Sequence, residues 1–143
     1  MKARAYALAC VALGERHPDT LRIRLSFANT LYTLEELSEA GEHYEAAARS
    51  LRESLGAQHP ETLRALGNLA RVLDRQRATA EAVAIDEIVL AGRQRQLGDA
   101  HPETVTAAEN LEKTRLALSE LEAAPAALDE ARKRWSAWAS ERA

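Results

Sequence analysis

The sequence predicts an all-α chain, a right-handed solenoid of about seven stacked helices made of a half-unit and three helix pairs. Three observations predict it. First, the blocks Leu13-Gly14-Glu15-Arg16-His17-Pro18-Asp19-Thr20-Leu21, Leu55-Gly56-Ala57-Gln58-His59-Pro60-Glu61-Thr62-Leu63 and Leu97-Gly98-Asp99-Ala100-His101-Pro102-Glu103-Thr104-Val105 recur at a fixed period of 42 residues, with no insertion between copies. Second, each block reads as a helix stop followed by a helix start. Third, apolar residues between the blocks recur at helical spacing and not in the alternation of a strand.

Residues 1–13 read as the second helix of an incomplete unit. Lys2 and Arg4 precede an Ala-rich run there, but the run is short and leads straight into the first block, so a signal peptide is not expected. At each joint Gly14, Gly56 or Gly98 follows a leucine, where a helix ends in a left-handed residue. His-Pro comes next, with Pro18, Pro60 or Pro102 suited to the first helical position and an acid after it at the positive end of the helix dipole. Thr20, Thr62 and Thr104 are expected to support the same first turn.

The stretch between joints, about 35 residues, is too long for one ordinary helix and suits two of roughly 15–18. The quieter joints inside the units fall near Thr33 to Leu37, Gln76 to Thr79 and Leu118 to Ala123. In the first unit Leu21, Leu25, Ala28, Leu31 and Tyr32 mark one helix face; Leu37, Ala40, Tyr44, Ala47 and Leu51 mark the next. In the second, Leu63, Leu66, Leu69, Ala70 and Leu73 are followed by Ala82, Ile85, Val89 and Leu90. The third unit is more polar, with Glu112 and Arg115 where the second has Ala70 and Leu73. Pro125 sets the start of its second helix or kinks it, and Trp135 and Trp138 share a face near its end, as in a terminal cap. The expected organisation is one domain, 1–143: half-unit 1–13, repeats 14–55, 56–97 and 98–140, the last a cap.

Composition bounds the function classes. Hydrophobic residues are 46% and charged residues 29% of the chain, which suits a folded protein. Aromatics are only 4%, so Ala and Leu carry the apolar content and favour closely approaching helices. A net charge of −3 gives no bulk electrostatic reason for a nucleic-acid or anionic-membrane partner. Cys10 is the single cysteine, which rules out an internal disulfide and fits a reducing, cytoplasmic setting. No Ser-His-Asp order, phosphate-binding Gly-rich loop or zinc-type Cys/His cluster is visible, so no enzyme activity, cofactor or metal is expected. His17, His59 and His101 repeat the same structural job one helix pair apart, too far for joint ligation, and His43 reads as an incidental residue on an exposed face.

The block Leu-Gly-x-x-His-Pro-[Asp/Glu]-Thr-Leu, then Asn68-Leu69-Ala70 and Asn110-Leu111, then a small residue at Ala40, Ala82 and Ala124, resembles the tetratricopeptide repeats of the longer, kinesin-light-chain-like kind, from about residue 13 to 131. The resemblance implies that the first helix of each unit lines a concave groove that receives a peptide or partner segment. Carried over by position, the groove comprises Arg22, Asn29 and Tyr32 from the first unit, Arg64, Asn68, Arg71 and Arg75 from the second, and Asn110 and Lys113 from the third. Asn side chains can bond a peptide backbone through both donor and acceptor. Arg64, Arg71 and Arg75 share a helix face and suit an acidic ligand, unless neighbouring carboxylates neutralise them. Leu25 and Thr106 stand where a chaperone-tail carboxylate clamp needs lysines, so that mode is not expected.

The function implied is a protein–protein interaction scaffold. Two alternatives stay open: a sensor segment of a larger nucleotide-binding switch protein, and a module that self-associates through the apolar face left open at the N-terminal half-unit.

Overall fold

The computed structural model describes residues 2–121 and 124–140, and within them every regular element is a helix. They are α1 (Lys2–Leu13), α2 (Pro18–Thr33), α3 (Leu37–Leu55), α4 (Pro60–Arg75), α5 (Thr79–Leu97), α6 (Pro102–Ser119) and α7 (Ala124–Ser140). From α1 to α6 each helix packs on the next in chain order.

The joints between units are built three times from the same bonds. The N–H of Gly14, Gly56 and Gly98 donates to the carbonyls of Cys10, Arg52 and Gln94 at 3.0, 2.8 and 3.0 Å. These glycines have φ of 91°, 99° and 81°, a region that costs an L side chain about 1 kcal/mol or more. His17, His59 and His101 are the N-cap residues, and each Nδ1 accepts from the backbone N–H two residues on at 3.1 Å. Proline at the first helical position leaves that N–H as the donor to be satisfied. Thr20, Thr62 and Thr104 are buried; their hydroxyls donate to the carbonyls of Ala9, Gly56 and Arg93 at 3.3, 2.8 and 3.3 Å, tying the new helix to the chain just before it.

Inside the units the turn is made without glycine. Glu35 and Arg77 take φ of 65° and 67°, and the next residues, Glu36 and Ala78, donate back to the carbonyls of Leu31 and Leu73 at 2.9 and 2.8 Å. These six-residue closures satisfy helix-end carbonyls at the cost of a strained residue. The corresponding joint of the third unit runs into residues 122 and 123, which lie outside the described residues.

The core is deepest in the middle of the array. Leu63, Leu66, Val72, Ala82 and Ile85 are fully buried. Each large side chain among them contributes about 1.5–3 kcal/mol relative to exposure. Small residues sit where helices approach closely, among them Ala28, Ala40, Ala47, Ala48 and Ala65.

His43 differs from the sequence expectation. Its Nδ1 accepts from Arg24 Nε at 2.9 Å, and its ring lies 5.4 Å from that of Tyr6 and 4.9 Å from that of Phe27. It is half-buried in a cluster joining α1, α2 and α3. Burial and the Arg24 charge lower its pKa.

The third unit does not repeat the hairpin of the first two. Beginning at Ala124 with Pro125 in its first turn, α7 packs principally on α5 and reaches across to α3. Trp135, 2% exposed, seats in the core together with Ala131. Arg52 of α3 donates through Nη1 to the carbonyl of Trp138 at 3.0 Å and stacks over its ring at 4.4 Å. Arg134 pairs with Glu45 of α3 at 3.5 Å and with Glu81 of α5. The cause is legible in α6: where α4 buries Ala70, α6 has the exposed Glu112, and it carries Arg115 in place of Leu73. The polar flank limits α7 to the cluster of Val83, Leu111 and Leu118, against which its Ala124 and Leu128 pack, whereas Ala84, Ile88 and Ala91 of α5 offer an apolar strip to Trp135.

Candidate functional site

The first helices of the units set their side chains in columns, one period apart. Arg22, Arg64 and Thr106 share one register position; Ser26, Asn68 and Asn110 a second; Asn29, Arg71 and Lys113 a third; and Tyr32, Asp74 and Leu116 a fourth. Between α4 and α6, with α5 as floor, these columns border two adjoining hollows. One, of about 340 Å³, is lined by Arg64, Asn68 and Arg71 on one side, Pro102, Thr106 and Asn110 on the other, and Asp86, Val89 and Arg93 beneath. The other, of about 260 Å³, is lined by Tyr32, Arg71, Asp74, Arg75, Asp86, Asn110, Lys113 and Thr114. Arg71, Asp86 and Asn110 border both, so the two form one continuous groove.

The structure therefore brings together Tyr32, Arg64, Asn68, Arg71, Arg75, Asn110 and Lys113. It does not bring Arg22 or Asn29 into these hollows. Arg22 pairs with Asp19 on its own helix. Asn29 Oδ1 accepts from the Tyr44 hydroxyl of α3.

Charge pairing divides the arginine stripe. Arg64 pairs with Glu61 at 3.3 Å, and Arg75 Nη2 donates to Glu35 Oε1 at 2.7 Å. Arg71 and Arg75 both lie against the Tyr32 ring, 4.9 and 5.2 Å from its centroid. Among the described residues neither Arg71 nor Lys113 makes an ion pair, although Asp74 and Asp86 border the same hollow. Arg93 beneath pairs with Glu103 at 3.3 Å.

Asp86 is the residue that sequence reasoning missed. It is 6% exposed, and its Oδ2 accepts from Thr114 Oγ1 at 3.1 Å. Burial, only partly offset by that hydrogen bond and reinforced by the charge of Asp74, pushes its pKa up to about 6. The signal was the register: Asp86 stands one period after Tyr44, a position read as part of the apolar face. A carboxylate at a core position of a repeat is a departure that sequence alone displays.

His17, His59 and His101 each spend Nδ1 on a helix cap, and among the described residues no group of three His, Cys, Asp or Glu side chains is placed to hold a metal. No helix among the described residues is long and apolar enough to cross a membrane.

Comparison with known proteins agrees with the fold. Residues 27–87 match the family model of the tetratricopeptide repeat. Two solved structures of a Podosopora anserina putative kinesin light chain with nearly identical TPR-like repeats superpose on the chain. One, a form carrying a single substitution, is 23% identical, with a TM-score of 0.73, and the match covers 92% of this chain and 62% of that one. The other is 22% identical, with a TM-score of 0.72 and coverage of 98% and 66%. At this identity the likeness is one of fold, and the chain spans less than two thirds of each solved chain's length. No curated protein matches it.

Proposed function

From a chain built of tetratricopeptide repeats, which are protein–protein interaction modules, we propose that this protein is a non-catalytic scaffold that holds an extended segment of a partner along the α4–α6 groove. The observation that carries the reading is the continuity of the groove through Arg71 and Asn110, with Asn68 and Asn110 one period apart on facing helices. Two amides so spaced can each donate to and accept from a bound backbone without selecting its side chains. Arg71 and Lys113, uncommitted to carboxylates, supply the site for one acidic side chain of that segment. Arg64 and Arg75 contribute less, since each already has a carboxylate partner.

The test is selection from a random peptide-display library, followed by titration of the selected peptides. Asn68→Ala and Arg71→Glu are expected to weaken binding by about tenfold or more, equivalent to about 1.4 kcal/mol, with helical circular dichroism unchanged. Unaltered binding by both variants would sink the groove assignment.

A second reading has its own support. On α1, Leu8 is 60% and Val11 88% exposed, so a second copy of the chain could bury this face. Light-scattering mass over a wide concentration range decides it, and a constant monomer mass dismisses self-association.

A further inference from the structure

Asp86 presents a problem that the groove reading alone does not solve. A carboxylate 6% exposed needs a compensating partner, because burying an unpaired charge is costly. Thr114 satisfies Oδ2. Among the described residues Oδ1 accepts no hydrogen bond and neither oxygen joins an ion pair. The charge that acts on Asp86 is a second acid, Asp74, whose Oδ1 accepts from the Thr79 hydroxyl at 3.3 Å. Arg71, the cation that could have turned toward Asp86, is instead stacked over Tyr32. Asp86 and Asp74 both border the hollow of about 260 Å³, and Asp86 borders the neighbouring one as well. The floor of the groove thus holds a largely buried carboxylate with one oxygen bonded to Thr114 and the other open to the groove, beside a space large enough for a side chain.

We propose that Asp86 is the specificity residue of the groove and receives a lysine or arginine side chain of the bound segment, with Asp74 adding to the attraction. This rests on the groove reading and deepens it. The partner segment then carries a cation that seats on Asp86 beside the acidic residue held by Arg71 and Lys113. A segment with only acidic side chains leaves the floor unpaired, and is rejected for the same reason that any half-made buried ion pair is unfavourable.

The experiment uses the whole chain and three capped pentapeptides of alanine with lysine, norleucine or glutamate at the centre, followed by NMR of the backbone amides and of the Asp86 side-chain carboxyl carbon. The lysine peptide is expected to shift the amides of Asn68 and Asn110 and to move the Asp86 carboxyl resonance and lower its titration midpoint. Its affinity should exceed that of the norleucine peptide by about tenfold in the wild type and by little in Asp86→Asn. Equal binding of the lysine and norleucine peptides, or a preference that survives Asp86→Asn, overturns the assignment while leaving the groove reading standing. If no peptide moves Asn68 or Asn110, the groove reading fails and this inference with it.

Discussion

The Thr114 hydroxyl of α6 donates to Asp86 Oδ2 of α5 at 3.1 Å, and this bond joins two units of the array at the floor of its groove. One period earlier the same α3 position carries Tyr44, whose hydroxyl reaches Asn29 of α2. A polar link between second and first helices is kept at both places, but in the second unit it carries a charge.

That charge makes stability depend on pH in a stated direction. The folded pKa of Asp86, about 6, lies above the ordinary carboxylate value. Its contribution to stability is therefore fully present below about pH 4 and is lost as pH rises through 6. Asp86→Asn keeps an acceptor for Thr114 and removes the charge. At pH 7.5 it should raise stability by about 1–3 kcal/mol, a gain that shrinks below pH 4. Urea midpoints of both chains from pH 4 to 8 check this; a variant less stable at every pH would mean the carboxylate is already balanced in solution.

The histidine caps give a second expectation. His59 Nδ1 accepts from the N–H of Glu61 at 3.1 Å, at the start of the most buried pair of helices. Replacing an N-cap acceptor with alanine costs about 0.5–2 kcal/mol. His59→Ala should fall in that range, and His59→Asn, which offers a side-chain acceptor of its own, should recover most of it. Equal losses in the two variants would assign the cost to packing of the ring.

Much of the fold was legible because its joints are local chemistry. Glycine at a left-handed position, proline at the first helical residue and the histidine before it act within a few residues of each other, and the period of 42 repeats them. The intra-unit turns showed less, because Glu35 and Arg77 are not residue types that announce a positive φ. The position of α7 was not legible, since it depends on which distant surface offers apolar area, and the strip on α5 becomes a surface only once the array is stacked. In the groove, the register accounts for the side chains that border the two hollows from α4 and α6. It could not tell that Asn29 would turn to Tyr44, that Arg75 would pair with Glu35 across a unit, or that Asp86 would be left at the floor.

Two glycines in neighbouring helices should respond oppositely to alanine. A Cβ at Gly92 would stand 2.6 Å from Leu63 Cδ1 and 3.2 Å from Gln58 Oε1, and Leu63 is fully buried. Overpacking at such a place costs about 1–3 kcal/mol, more than the helix propensity of alanine returns. At Gly67 nothing lies within 4 Å of the new methyl, so Gly67→Ala should stabilise by up to about 1 kcal/mol. A raised thermal midpoint in Gly92→Ala would contradict the contact around Leu63, and a lowered one in Gly67→Ala would contradict the open space at Gly67.

The attachment of α7 should fail at Trp135 before it fails anywhere else. The ion pairs that border it, Arg132 to Glu87 at 2.7 Å and Arg134 to Glu45 at 3.5 Å, involve largely exposed arginines, and exposed pairs contribute about 0.2–1 kcal/mol each. Trp135 is buried among helices to which α7 is otherwise joined by Ala131, by Ala124 and Leu128 against the cluster of Val83, Leu111 and Leu118, and by the Arg52–Trp138 stacking. Truncating a buried tryptophan costs about 3–5 kcal/mol. That is the largest single contribution to its attachment, so Trp135→Ala should free α7 locally and leave α4 and α5 folded. Hydrogen exchange reads this directly: amides of residues 128–138 should lose protection while those of Leu66, Leu69 and Ile85 keep theirs. Protection retained along α7 would place its anchorage on Arg52 and Trp138 instead, and loss in all the helices together would show that α7 and the array unfold as one unit.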